Sequence, residues 1–208
     1  MTRMVAPTDE PEPGQVYELV EAHVDQRDNW ARRRRKDIPN DKQLLVIACM
    51  DERIPIEDIL DISRGDAHIF RNAGGKVTDD VIRSAALTTT FFDTTEIIVI
   101  NHTDCGMMSA PDEAVVEGLE AAAGGSLEDV DLNPALPSLD IGDASIAEWL
   151  SMTDNIDEAC QAQIDYLEAH PLVPDSVTVH GYVYEVESGA LRRPGERVAE
   201  QINTRPEP

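Results

Sequence analysis

Two short segments of the 208-residue chain carry the residue types of a metal centre: Cys49-Met50-Asp51-Glu52-Arg53 and His102-Thr103-Asp104-Cys105-Gly106. Two thiolates and one imidazole suit zinc, a borderline-soft ion that accepts sulfur and nitrogen in a tetrahedron. Three protein ligands, Cys49, His102 and Cys105, would leave the fourth position open for water, as catalysis requires. A purely structural zinc normally takes four protein ligands, and Asp51 could be the fourth. Taken singly, each residue has an ordinary explanation, since a cysteine ending a buried strand is usually a small hydrophobe. Taken together, that explanation must cover three ligand types, an Asp51 and Arg53 pair, and the glycine turn Arg71-Asn72-Ala73-Gly74-Gly75.

The elements around these segments alternate between strand and helix patterns, which predicts an α/β fold: a central, mostly parallel β-sheet flanked by helices. Leu44 to Cys49 is a continuous buried-strand run. Pro55 then suits a first helical turn with Ile56, Ile59 and Leu60 facing inward. Ala67 to Phe70 is a short second strand. Thr78 is placed to cap a helix whose first turn carries Asp79 and Asp80. Glu96 to Asn101 is the third strand. Met107 to Ala123 is helical after an irregular start, and Gly124 to Asp143 is a Gly-, Pro- and acid-rich loop. Ser145-Ile146-Ala147-Glu148 has capping-box spacing. A last helix spans about Asp154 to His170, followed by a strand from Ser176 to Val186 with a bend at Gly181. Upstream, Gln15 to Lys36 has the spacing of an extended N-terminal helix ending in Arg32-Arg33-Arg34-Arg35-Lys36. The domain boundaries that follow are a loose leader over 1–14, one zinc-dependent domain over 15–191, and a tail over 192–208. In a parallel sheet ligands bind beyond the carboxyl ends of the strands, which is where Cys49 and the His102 segment fall.

Composition narrows the partners. Lys plus Arg number 17 against 41 Asp plus Glu, for a net charge of −24. Such a surface repels phosphate backbones and anionic headgroups, so neither nucleic acid nor membrane is expected as a partner. No apolar run approaches the roughly 18–20 residues of a membrane-spanning helix. There is no Lys or Arg between Arg83 and Arg192, while 21 Asp and Glu lie from Asp93 to Glu187. With only three lysines, this pattern points to a halophilic protein whose self-repulsion is screened by salt. Three cysteines and an opening without an apolar stretch argue against a disulfide framework and for a cytoplasmic location. Cys160 falls at helical spacing from Ile156, Ile164 and Leu167, which assigns it to the core. His68, near the Arg71 segment, is a candidate proton shuttle by residue type alone.

The combination Cys49-x-Asp51-x-Arg53, Arg71-Asn72-Ala73-Gly74 and His102-x-x-Cys105-Gly106 resembles the β-class carbonic anhydrases in order and approximate spacing. The resemblance extends through Gly181-Tyr182-Val183-Tyr184-Glu185-Val186 and Gly189-x-Leu191, covering roughly residues 15 to 191. It implies a zinc lyase that converts carbon dioxide to bicarbonate through a zinc-bound hydroxide, with Asp51 and Arg53 as catalytic residues. It also implies a substrate pocket near Asn72, Ala73, Gly74 and Gly106, and a homodimer or an assembly of dimers. Asp51 can either accept the guanidinium of Arg53 and orient the nucleophile, or move onto the metal as a conditional fourth ligand. Two thiolates cancel the zinc charge, so activity is expected to rise toward alkaline pH. Scaffold and ligand set do not fix the substrate. Two alternatives therefore stand: hydrolysis of another small linear molecule such as carbon disulfide, and a non-catalytic zinc- or bicarbonate-binding module.

Overall fold

The run Leu44-Leu45-Val46-Ile47-Ala48-Cys49 has no charged or amide side chain, which suits a strand covered on both faces. In the computed structural model, which describes residues 39–109, 112–126 and 155–197, it forms strand β1, Leu44–Cys49, with five of six residues buried. Strand β3, Glu96–His102, forms for the same reason and is buried from its second residue onward. Strand β2, Ala67–Asn72, runs two residues beyond the expected Phe70, because its whole length pairs with β1 up to Cys49 opposite Asn72. Strand β4 is Thr178–Glu185 and the short β5 is Ala190–Arg192.

The sheet order is β2-β1-β3-β4-β5. The first four strands are parallel and β5 is antiparallel to β4. From β1 the chain moves to one neighbour, β2, and then crosses to the other, β3. That reversal opens a crevice at the carboxyl ends of β1 and β3, the place where parallel sheets bind ligands. Cys49 ends one of these strands and His102 ends the other.

Side chains alternate between the two faces. On one, Leu45, Ile47, Ile97 and Val99 meet Val81, Ile82 and Ala85 of helix α2, which follows the four-residue α1, Ile56–Ile59, and spans Asp79–Phe91. On the other, Val46, Ala48, Ile98 and Ile100 meet Ile54, Ile56 and Cys105. Short α3, Gly106–Ser109, and α4, Asp112–Ala123, follow β3. Helix α5, Ile156–Ala169, adds Cys160, Ile164 and Leu167 to the first face. Asn155 caps α5 by accepting from the backbone N–H groups of Asp157 and Glu158 at 3.0 and 3.4 Å. Thr78 takes the N-cap position of α2 but makes no side-chain cap bond.

The expected bend at Gly181 is absent: β4 pairs with β3 on both sides of it, with Val99 opposite Gly181. Its role is close packing. A Cβ there would stand 2.1 Å from Ile164 Cδ1 and 3.0 Å from Cys160 Sγ, so a side chain at 181 would force those side chains of α5 to move. The leader over 1–14, the helix expected over Gln15–Lys36, the Ser145 capping box and the tail beyond 197 lie outside the described residues, as does most of the Gly124–Asp143 loop. Among the described residues no helix is long and apolar enough to cross a membrane.

Candidate metal centre

Cys49, His102 and Cys105 come together at the carboxyl rim of the sheet, all three buried, with one potential ligand atom from each within 4.8 Å of the others. Around zinc, tetrahedral edges between sulfur and nitrogen ligands are about 3.5–3.8 Å, from metal–ligand bonds of about 2.0–2.3 Å, so the three atoms need close by only about 1 Å. The His102 ring supports the fit. Its Nδ1 lies 2.8 Å from the carbonyl oxygen of Thr103. A carbonyl can only accept, so Nδ1 carries hydrogen and Nε2 is left to face the two sulfurs. That Nε2 is buried with no hydrogen-bond partner among the described residues, an orphaned polar atom of the kind a metal satisfies.

Electrostatics agree. The neighbouring Cys105 thiol and, after the opposing effect of burial, His102 bring the Cys49 thiol from 9.0 down to about 4. Burial works to lower the His102 imidazole, but the adjacent Cys49 outweighs it and raises the group above its ordinary value. The cluster thus gathers negative charge on sulfur opposite a ring that seeks a cation, and a divalent metal meets both demands.

Asp51 and Arg53 form a fork. Arg53 Nε and its backbone N–H both donate to Asp51 Oδ1 at 2.9 Å, and one terminal nitrogen, Nη2, donates to Oδ2 at 2.7 Å. These bonds hold the Asp51 carboxyl down to about 2, so it is ionised throughout the neutral range. Its Oδ2 stands 3.9 Å from His102 Nε2. Asp51 is therefore beside the centre while paired with Arg53.

The glycine turn is also brought here. Gly74 and Gly75 have φ of +76° and +62°, and a Cβ on Gly75 would stand 2.7 Å from the backbone nitrogen of Cys49. The turn can press against the end of β1 only because residue 75 lacks a side chain. Asn72 serves it as a clasp, donating to Lys76 O at 2.7 Å and accepting from Lys76 N–H at 2.9 Å. Ala73 opens the turn on its exposed side, and Gly106, also exposed, opens α3. His68 does not join them. It sits opposite Leu45, four residues before Cys49, or about 13 Å along the strand at about 3.3 Å per residue. There it packs edge-on against Phe92.

Several residues support the site through contacts that no local sequence pattern specifies. Arg71 donates to the carbonyls of Cys49 and Asp51 at 2.9 and 2.5 Å, fixing the segment between them. Buried Asn101 donates to Gly74 O at 2.9 Å and accepts from Gln163 at 3.0 Å, and Gln163 accepts from Val77 N–H at 2.6 Å. This chain ties the glycine turn to β3 and α5. Asp104 accepts from Arg53 at 2.8 Å.

Residues 44–191 match the carbonic anhydrase family. Over 191 residues the chain is 48% identical to a carbon disulfide hydrolase of Acidithiobacillus thiooxidans, covering 91% of this chain and 96% of that protein. Over 156 residues it is 32% identical to beta-carbonic anhydrase 1 of Mycobacterium tuberculosis, covering 74% of this chain and 83% of that one. A solved apo form of carbon disulfide hydrolase is similar with a TM-score of 0.68 and 39% identity, over 92% of this chain and 98% of that one.

Proposed function

Because the chain belongs to the β-carbonic anhydrase family, whose cofactor is zinc, we propose that it is a zinc-dependent hydrolase of a small linear heterocumulene, with carbon disulfide as its substrate. The observation that carries this is the buried Cys49, His102 and Cys105 cluster beside an ionised Asp51, in a chain 48% identical to a carbon disulfide hydrolase. In the balanced reaction one carbon disulfide and two waters give one carbon dioxide and two molecules of hydrogen sulfide. It passes through carbonyl sulfide, each step adding one water oxygen to carbon and expelling one sulfur.

Zinc, when bound by Cys49, His102 and Cys105, supplies a Lewis acid that lowers the pKa of water. The protein's share is orientation. Asp51 Oδ1 is occupied by two N–H groups of Arg53, whereas Oδ2 takes only one. A lone pair of Oδ2 is left to accept a hydrogen bond from the attacking water and to turn the water oxygen toward the electrophilic carbon. Arg53 keeps Asp51 charged and aimed. Arg71 holds the Cys49 to Asp51 backbone that carries both a ligand and the acceptor. The glycine turn, clamped by Asn72, Asn101 and Gln163, closes the floor beside Cys49.

Reversible hydration of carbon dioxide is the second reading, favoured by the match to the carbonic anhydrase family and by the same acceptor geometry, since water adds to carbon in both reactions. Zinc-loaded protein supplied with each substrate separates them. Two hydrogen sulfide molecules released per carbon disulfide supports the first reading. Rapid carbon dioxide hydration without sulfide release replaces it with the second, and no turnover of either leaves a zinc- or bicarbonate-binding module. We further propose a homodimer or assembly of dimers, which light scattering would show as twice the chain mass or a multiple of it.

A further inference from the structure

Arg53 is held from two sides. Its Nε and Nη2 face Asp51, while Nη1 donates to Asp104 Oδ2 at 2.8 Å and Nη2 also reaches the Asp104 carbonyl at 3.0 Å. Asp51 and Asp104 thus use different N–H groups of one guanidinium and do not compete for them. Arg53 needs such anchorage, because its side chain is 39% exposed and long side chains have much rotamer freedom to lose.

Asp104 is well placed to anchor it. It lies on the turn between His102 and Cys105 at φ +51°, in the left-handed region that aspartate tolerates better than most residues. The turn is fastened to the β4 end of the sheet. Thr103 N–H donates to Tyr184 O at 3.0 Å, Val186 N–H donates to Thr103 Oγ1 at 3.0 Å, and the Thr103 hydroxyl donates to Glu187 at 2.6 Å. A carboxylate carried on this fastened turn, its own side chain 48% exposed, therefore holds the guanidinium that in turn pairs with Asp51.

We propose that Asp104 is a positioning residue: by fixing the guanidinium of Arg53 it keeps Asp51 paired with Arg53 and away from the metal held by Cys49, His102 and Cys105. The inference rests on the metal-centre and dyad assignment made above. Released from the fork, Asp51 has little distance to cover, since its Oδ2 is already 3.9 Å from His102 Nε2. A carboxylate on the metal would then compete with any other incoming ligand.

The test is azide binding to full-length, cobalt(II)-loaded protein, followed by visible absorption. Asp104→Gly removes the carboxylate but accepts the positive φ without strain. It should raise the apparent azide dissociation constant about tenfold, as when a competitor fills the site about nine-tenths of the time. Asp104→Asn keeps an acceptor for Arg53 and should restore most of the affinity. In an Asp51→Ala background, adding Asp104→Gly should change nothing, because the competitor is gone. Wild-type azide affinity in Asp104→Gly overturns the proposal. So does equal weakening in the Asp51→Ala background, which would mean that Asp104 only shapes the turn. If the glycine variant fails to hold cobalt, Asp104→Ala, which also removes the acceptor, decides: weaker binding in the single variant and none of that loss in Asp51→Ala/Asp104→Ala supports the proposal, and wild-type affinity in the single variant overturns it. Azide binding does not depend on which substrate is turned over. An inactive wild type with this azide pattern refutes the proposed reaction alone, and an active wild type without it refutes the positioning role alone.

Discussion

Cys49 and Cys160 are covered almost equally, 4% and 0% exposed, yet their thiols shift in opposite directions. Cys49 ends β1, where Cys105 and His102 favour its thiolate and bring it to about 4. Cys160 lies in α5 against Gly181 of β4, where burial, and then the negative charge of Asp157, push it up to about 12. Its Sγ points at the Tyr182 carbonyl, 3.6 Å away, a partner that suits a neutral S–H donor. Burial therefore does not mark a functional cysteine. The company does: at the carboxyl rim backbone pairing ends, and side chains from β1, β3 and their loops converge, whereas the α5 and β4 layer is packed from helix and strand faces.

The largest expected effect is on metal. Cys49→Ser should drop bound zinc from about one per chain to almost none and abolish turnover, because two ligands hold zinc far less well than three. Cys160→Ala should keep both metal and turnover. Equal zinc loss in the two variants would erase the contrast between the regions, and full zinc with full rate in Cys49→Ser would end the ligand assignment.

Next comes the dyad. Asp51→Ala should retain zinc yet lose about 10²-fold or more in rate, the range typical of a positioned proton acceptor. Arg53→Ala should be similarly inactive with zinc retained, since it frees Asp51 from its fork. A near-native rate in Asp51→Ala, measured beside metal content, contradicts the role given to Oδ2.

A smaller, purely structural effect belongs to the Cys160 region. Gly181→Ala places a Cβ 2.1 Å from Ile164 Cδ1 and should destabilise the fold by about 1–3 kcal/mol, the usual cost of overpacking. Denaturant unfolding would show this, with zinc content unchanged. A stability equal to wild type would mean that α5 can shift away freely.

The subtlest difference is protonic. In metal-free protein the ultraviolet thiolate absorbance of Cys49 should persist at neutral pH and fade only as pH falls through about 4, because its folded value is depressed below 9.0. Cys160, raised to about 12, should stay protonated until pH climbs through that value. Comparing Cys49→Ser with Cys160→Ala assigns each step, and a Cys160 thiolate near neutral pH would break the comparison.

Much of this was legible in sequence where a signal is local. β1 and β3 are apolar runs long enough to cross a sheet, and both are buried as their composition requires. Cys49, His102 and Cys105 end those strands or follow directly, so type and spacing were enough to single out the cluster that could hold a metal ion. Arg71 lies in the glycine-turn segment that carries the resemblance, but its carbonyl contacts, like the partners of Asn101, Gln163 and Asp104, had no such signal. Gln163 is 62 positions from Asn101, and Asp104 is 51 from Arg53. Their partners are set by tertiary packing, to which neither periodicity nor turn chemistry is sensitive. The bend expected at Gly181 failed for the same reason, since a glycine in a strand signals either a bend or a close neighbour, and the neighbour was Ile164, on a separate helix.

X-ray absorption at the zinc edge tests the central claim most directly, measured on the full-length protein and on Cys160→Ala. A centre built from Cys49, Cys105 and His102 predicts two sulfur ligands at about 2.3 Å and two nitrogen or oxygen ligands at about 2.0–2.2 Å. The spectrum should be the same in the Cys160 variant. One sulfur or none, or the loss of a sulfur ligand when Cys160 is replaced, would contradict the site.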